Sequence, residues 1–294
     1  MNKVIVIVGP TGVGKTKLSI ELAKRLNGEI INADSTQIYK GLDIATAKVT
    51  IEEAEDIKHH LIDIKNIDED YTVYHYQQDS RKVIDDILKR QKLPIMVGGT
   101  GLYIKASLYD YQFNDETKHY NYDKYSIEEL YQMLIENDPN TLIHVNNRKR
   151  LERALDYYIN NQKPLSEKEQ TNEMLYDAIF IGLTTERKKL YEKINKRVDK
   201  MLESGLLNEA KRVYESNIRT KAVMTPIGYK ELFDYFDSTK ELDECLELIK
   251  QRSRRYAKRQ YTWFNNQMNI IWFETNYEAF DKTVGEVINY INKK

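Results

Sequence analysis

Cysteine is almost missing from this chain: Cys245 is the only one in 294 residues. A lone thiol excludes an internal disulfide and suits a reducing compartment, so a cytoplasmic protein is expected. The thiol itself reads as a small hydrophobe on a helix rather than a nucleophile. An excess of either charge is also missing. Lys and Arg number 45 against 46 Asp and Glu, a formal net charge of −1. Any surface for nucleic acid must therefore be a local patch. No run of about 18 apolar residues occurs, which excludes a helical membrane span. The N-terminal MNKVIVIVG is too short for a signal peptide and leads directly into a glycine loop, so it reads as a buried strand. No Cys or His set has zinc spacing. His59 and His60 are adjacent and point different ways, which leaves them to packing or hydrogen bonding. What remains, 41% hydrophobic and 31% charged residues, is the composition of a globular protein with a sizeable core.

The order of elements predicts an α/β fold. Val4 to Val8 is a β-branched run, followed by a glycine loop and a helical pattern over Lys15 to Leu26. Glu29 to Ala33 reads as a second strand, Tyr74 to Gln91 as an amphipathic helix, and PIMVGG from Pro94 as a third strand. Continuous apolar strands alternating with helices argue for a parallel sheet covered on both faces. From about Tyr111 to Tyr176 the texture changes: tyrosines, acids and amides crowd in, and IEELYQML and RKRLERALDYYI have helical periodicity. The expected division is therefore a core over 1–112 and 177–294, with a mostly helical insertion over 113–176. AIFIGL resumes the sheet, long helices follow, among them Leu242 to Asn265, and NIIWFE reads as a last strand.

Four clusters carry chemistry. Gly9, Pro10, Thr11, Gly12, Val13, Gly14, Lys15 and Thr16 fit the polyphosphate-binding pattern G-x-x-x-x-G-K-[ST] between a strand and a helix. Glycines let backbone N–H groups converge on an anion, the helix start adds its dipole, Lys15 adds a full charge, and the Thr16 hydroxyl can serve Mg²⁺. The pattern specifies a polyphosphate, including a nucleotide such as ATP, but not a reaction. The second cluster, NADSTQIYKGLDIATAK, sets Asp34 after the second strand, at the sheet edge where ligands bind. Asp34 could act as a general base, hold Mg²⁺ through water, or cap a helix. Lys48, taken alone, reads as a solvated lysine. The third, VGGTGLY, offers Thr100 and two glycines that would let the backbone pass close to a ligand. The fourth is basic. IKQRSRRYAKRQ places Lys250, Arg254 and Lys258 on one helix face, and NNRKRLER lies in the insertion. Two basic runs in a chain without net positive charge suggest a polyanion such as RNA.

Together these pieces resemble one family. GPTGVGKT, NADSTQIYKGLDIATAK, HHLID, VGGTGLY, NNRKRLERALD, RVDKMLESGLLNEA, IGYKEL and RRYAKRQYTWF occur in the order found in bacterial tRNA dimethylallyltransferases, also called tRNA isopentenyltransferases. The resemblance spans about Val4 to Phe264. It implies a fold like the P-loop nucleotide kinases with an inserted helical domain. It also implies transfer of a dimethylallyl group from dimethylallyl diphosphate to an adenosine beside the anticodon of tRNA, by a monomer using Mg²⁺. Thr11 to Thr16 would then hold the diphosphate as a leaving group. Asp34, Ser35, Thr36 and Gln37 match the stretch that meets the target adenosine, with Asp34 as base. Thr100 and the run Lys149, Arg150, Leu151, Glu152 and Arg153 match tRNA-contacting positions. Three places depart from the family pattern: Thr36 where Met is usual, Ala45 where Gly is usual, and Met224-Thr225-Pro226 before IGYKE. The competing readings are an ATP-dependent small-molecule kinase, a prenyltransferase acting on a free adenine nucleotide, and a non-catalytic RNA-binding protein.

Overall fold

The computed structural model describes residues 2–113, 118–167 and 173–294. In chain order the elements are β1 (Lys3–Val8), α1 (Lys15–Arg25), β2 (Gly28–Asn32), α2 (Ile51–Ala54), β3 (His59–His60), α3 (Val73–Lys89), β4 (Leu93–Val97), α4 (Gly101–Leu108), α5 (Ile127–Asn137) and α6 (Arg148–Asn161). They continue with β5 (Asp177–Thr184), α7 (Arg187–Glu203), α8 (Leu206–Glu215), α9 (Lys221–Met224), α10 (Tyr229–Phe236), α11 (Leu242–Gln267), β6 (Ile271–Glu274) and α12 (Phe280–Ile291).

The strands form one sheet in the order β3-β2-β4-β1-β5-β6, and every pairing is parallel. The β-branched run of β1 sits at its centre, and its alternation divides the core. Val4, Val6 and Val8 pack on one face with Ile31, Met96 and Phe180. Ile5 and Ile7 pack on the other with Ile30, Ile95 and Ile181. Both faces are covered by helices, which is why the strands are apolar throughout instead of alternating with polar residues. The chain leaves β1 toward β2 on one side and returns to β5 on the other. The carboxyl ends of β1, β2 and β4 therefore open onto one crevice, where ligands of such sheets bind.

The chain forms two compact units, Met1–Tyr109 with Met174–Lys294, and Asp110–Glu173. Where an insertion over 113–176 was expected, the second unit spans Asp110–Glu173, and stretches 114–117 and 168–172 lie outside the described residues. Its core is Leu130 and Leu134 of α5 against Leu151, Ala154 and Leu155 of α6. Ser126 and Glu129 close a reciprocal capping box at the start of α5, which satisfies two helix N–H groups that would otherwise lack partners.

The paired histidines form the short edge strand β3. His60 Nε2 lies 2.7 Å from the buried Glu29 carboxylate, which Arg90 and Lys92 also engage. Those partners hold the Glu29 carboxyl well below the usual carboxylate range, Arg90 contributing most. Lys48 is not a solvated lysine: its ammonium contacts the Asp43 and Asp63 carboxylates at 2.6 Å each, and its side chain is 5% exposed. Among the described residues no helix is long and apolar enough to cross a membrane.

Candidate active site

The glycine loop joins β1 to α1, and Gly9, Gly12 and Gly14 all take positive φ, at 140°, 83° and 102°. Those angles are open to glycine and costly for residues with a Cβ. They turn the chain so that the N–H groups of Gly12 through Thr16 donate to no described residue. Unpaired N–H groups at a helix N-terminus form an anion site, with the α1 dipole behind them. Lys15 Nζ donates to the carbonyls of Gly9 and Pro10 at 2.9 and 2.8 Å. Burial lowers the Lys15 pKa to about 8, with nearby Asp34 opposing the shift and Arg197 adding to it. A buried, partly destabilised ammonium beside unpaired N–H groups is suited to a polyanion.

Thr11 is used differently from the rest of the loop. Its N–H donates to Gln260 Oε1 at 2.9 Å, and its hydroxyl accepts from Arg197 at 3.0 Å. Gln260, which is 4% exposed, also donates to the Gly99 carbonyl at 3.2 Å. One amide of α11 thus ties the glycine loop to VGGTGLY. The glycines of this second loop make room for protein. A Cβ on Gly98 would come within 2.2 Å of the Ala33 backbone, and one on Gly99 within 2.0 Å of the Gln260 amide. On their other side both glycines line the cavity described below.

Asp34 stands at the end of β2, where Asn32 Oδ1 accepts its N–H. Asp34 Oδ1 accepts from Thr36 N–H at 3.0 Å and from the Thr36 hydroxyl at 2.7 Å. The carboxylate therefore does organise a local turn, as its capping tendency suggests. Its Oδ2 meets no described hydrogen-bond donor and remains available. Thr100 Oγ1 accepts from Ser35 N–H at 3.0 Å and donates to Ser35 Oγ at 3.2 Å. Gln37 Nε2 donates to the carbonyls of Thr46 and Ala47. The Thr36 hydroxyl, one of the departures from the family pattern, thus acts directly on Asp34.

These groups line a cavity of about 1050 Å³ that reaches from Lys15 and Thr16 past Asp34 and Thr100 to Arg197 and Trp263. It brings the first three sequence clusters together. It also adds Arg197 and Gln260, which sequence reasoning did not single out. Arg197 is one of seven cations along α7, beside the buried stripe Leu190, Ile194 and Val198, and Gln260 is one amide within a basic run. Neither spacing marks them.

The basic residues are distributed unevenly. Lys250 pairs with Asp199 and Glu247 at 2.9 and 3.0 Å, and these partners raise its pKa. Arg254 donates to Asn195 Oδ1 at 2.6 Å. Both bind α11 to α7, and of the three only Lys258 is exposed. In the inserted unit Lys149, Arg150 and Arg153 are exposed, while Glu152 pairs with Arg148. Leu151 departs from expectation: it is fully buried in that unit's core, because it falls on the apolar stripe of α6, and so cannot meet RNA.

Comparison with known proteins agrees with this layout. The family model described as IPP transferase matches residues 37–267. A tRNA dimethylallyltransferase of Anoxybacillus flavithermus is 52% identical over 302 residues, covering all of this chain and 97% of its own. A crystal structure of a tRNA isopentenylpyrophosphate transferase from Bacillus halodurans is 42% identical, with a TM-score of 0.79, over all of this chain and 96% of its own. A eukaryotic dimethylallyltransferase captured acting on tRNA is 32% identical, with a TM-score of 0.87, over all of this chain and 80% of its own.

Proposed function

This chain belongs to the IPP transferase family, and we infer that it transfers a dimethylallyl group from dimethylallyl diphosphate to the exocyclic amine of a tRNA adenosine beside the anticodon, releasing diphosphate. The observation that carries the reading is one cavity holding both an anion cradle and a carboxylate with a free oxygen. A kinase could use both the cradle and the carboxylate, but full-length relatives at about half identity are named tRNA dimethylallyltransferase.

The roles follow from the contacts. Breaking the allylic C–O bond builds negative charge on the diphosphate and positive charge on the allyl group. Lys15 and the N–H groups of Gly12 to Thr16 face the departing anion, and Arg197, held on the Thr11 hydroxyl, adds a second cation. Preorganised charge of this kind acts strongest where water is excluded. The aromatic amine is a weak nucleophile, and Asp34 Oδ2 takes its proton as the N–C bond forms. Thr36 holds Oδ1, which fixes the direction in which Oδ2 points. The target base leaves its stack to enter, at a cost of roughly a few kcal/mol, and phosphate contacts elsewhere offset this.

Among the described residues no group of three or more His, Cys, Asp or Glu could hold a metal. The Thr16 hydroxyl lines the cavity and makes no hydrogen bond to a described residue. That fits Mg²⁺, which keeps water and phosphate ligands and needs few from protein. When bound, the ion neutralises charge on the diphosphate oxygens.

Purified protein incubated with tRNA, Mg²⁺ and dimethylallyl diphosphate should yield adenosine carrying one isoprene unit on mass analysis of the nucleosides. ATP turnover with unmodified tRNA would replace this reading with phosphoryl transfer. A second expectation concerns pH. Lys15 titrates near 8 in the free protein, and a bound diphosphate favours its protonated form. Diphosphate binding should therefore take up little proton on Lys15 at pH 7 and most of one at pH 9, and affinity should weaken as pH rises through 8. Calorimetry in buffers of different ionisation enthalpy reads the uptake, and Lys15→Met should abolish that part of it. Equal uptake by the two proteins would remove Lys15 from the anion site.

A further inference from the structure

Helix α7 sorts its side chains by direction. Leu190, Ile194 and Val198 are buried, while Asn195 and Asp199 meet Arg254 and Lys250 of α11. A third face carries Lys193, Lys196 and Lys200. At 3.6 residues per turn these three lie within an arc of roughly 60°. All three are exposed, and all three line the cavity that contains Asp34. Lys193 lies over the Tyr277 ring at 4.5 Å, beside the glycine loop, where the Tyr277 hydroxyl meets the Gly12 carbonyl. Lys196 and Lys200 make no ion pair or hydrogen bond with any described residue. The two acids that line the same cavity wall are not paired with them: Glu53 accepts from Thr50 N–H and Glu55 pairs with Lys24.

We propose that this lysine face of α7 is where the substrate RNA lays its phosphate backbone at the mouth of the reaction cavity. The proposal rests on the tRNA-prenylating reading. The stripe is the complement of the α11 contacts: Lys250 and Arg254 are spent within the fold, whereas the Lys196 and Lys200 ammonium groups have no ion-pair or hydrogen-bond partner among the described residues. Its length argues for a chain of phosphates. Lys193 and Lys200 are about 10 Å apart along the axis, at 1.5 Å per residue, and the single diphosphate of the donor is already provided for by the glycine loop, Lys15 and Arg197. Contacts of this kind orient RNA without reading its sequence.

The test measures binding of a tRNA anticodon stem-loop against salt concentration. The variant Lys196→Gln/Lys200→Gln leaves Lys193 beside the glycine loop. Its slope of log K against log salt should be shallower than wild type by about 1.5, for two lost contacts at roughly 0.7 to 0.9 each. Affinity at low salt should fall at least tenfold, with melting temperature and affinity for inorganic diphosphate unchanged. Lys250→Gln should leave the slope as it is. An unchanged slope in the double variant would overturn the proposal, as would a loss of diphosphate affinity with the slope retained, which would assign the lysines to the donor. Prenylation of tRNA by the wild-type protein is read separately: with it intact and the slope unchanged, this surface falls while the function stands.

Discussion

Asp34→Asn should lower the rate of the chemical step by about 10²- to 10⁴-fold, the usual range for a positioned proton acceptor, while tRNA affinity changes by less than about threefold. Asparagine keeps an Oδ1 that can accept from Thr36 N–H and hydroxyl, so the turn at the end of β2 survives. What it loses is the free carboxylate oxygen. Single-turnover rates at saturating tRNA, set beside equilibrium binding of the same tRNA, separate the two quantities. Equal losses in rate and affinity would make Asp34 a binding residue and leave the amine without its base.

Glu209→Leu should be the most destabilising single change in the neighbourhood of the site. The Glu209 carboxylate is 1% exposed. It accepts from the N–H groups of Asp43, Ile44 and Ala45 and from the Tyr229 hydroxyl. Together with burial it pushes the Tyr229 phenol far above its ordinary range. Leucine would leave the buried Tyr229 hydroxyl and three partly buried N–H groups without their acceptor, at a cost of about 3–5 kcal/mol. The melting temperature should fall by roughly 5–8 °C. The loss also reaches the site, because this carboxylate anchors the segment whose Thr46 and Ala47 carbonyls hold Gln37. In protein that remains folded, the KM for tRNA should rise while diphosphate affinity is kept. A variant that melts with the wild type would show that the segment is held by something else.

Much of the core was legible because it obeys local rules. The run Val4 to Val8 followed by G-x-x-x-x-G-K-T can hardly be anything but a buried strand turning into a helix around an anion. The helices α3, α7 and α11 announce themselves by period. Helix α12 carried the same signal, with Phe280, Val284, Val287 and Ile291 buried at helical spacing, although it follows the last strand that the sequence analysis traced. The edge strand β3 was not legible. Two histidines carry no alternation, and they pair with Ile30 and Ile31 because Glu29 draws His60 in. In RKRLER the one apolar residue, Leu151, is turned inward onto the core of its unit once α6 forms.

Residue order alone determined the phosphate cradle, the alternation that splits the core across the sheet, and the carboxylate that follows the second strand, because each depends on neighbours within a few positions. Which cations face a ligand was decided only by the packing of α7, α11 and the two glycine loops. Arg197 reaches Thr11 across 186 residues, Gln260 reaches it across 249, and Arg254 is withdrawn onto Asn195 across 59. Contacts at such separations are set by how helices seat on the sheet, and that seating decides whether a cation faces the cavity or is taken up between helices.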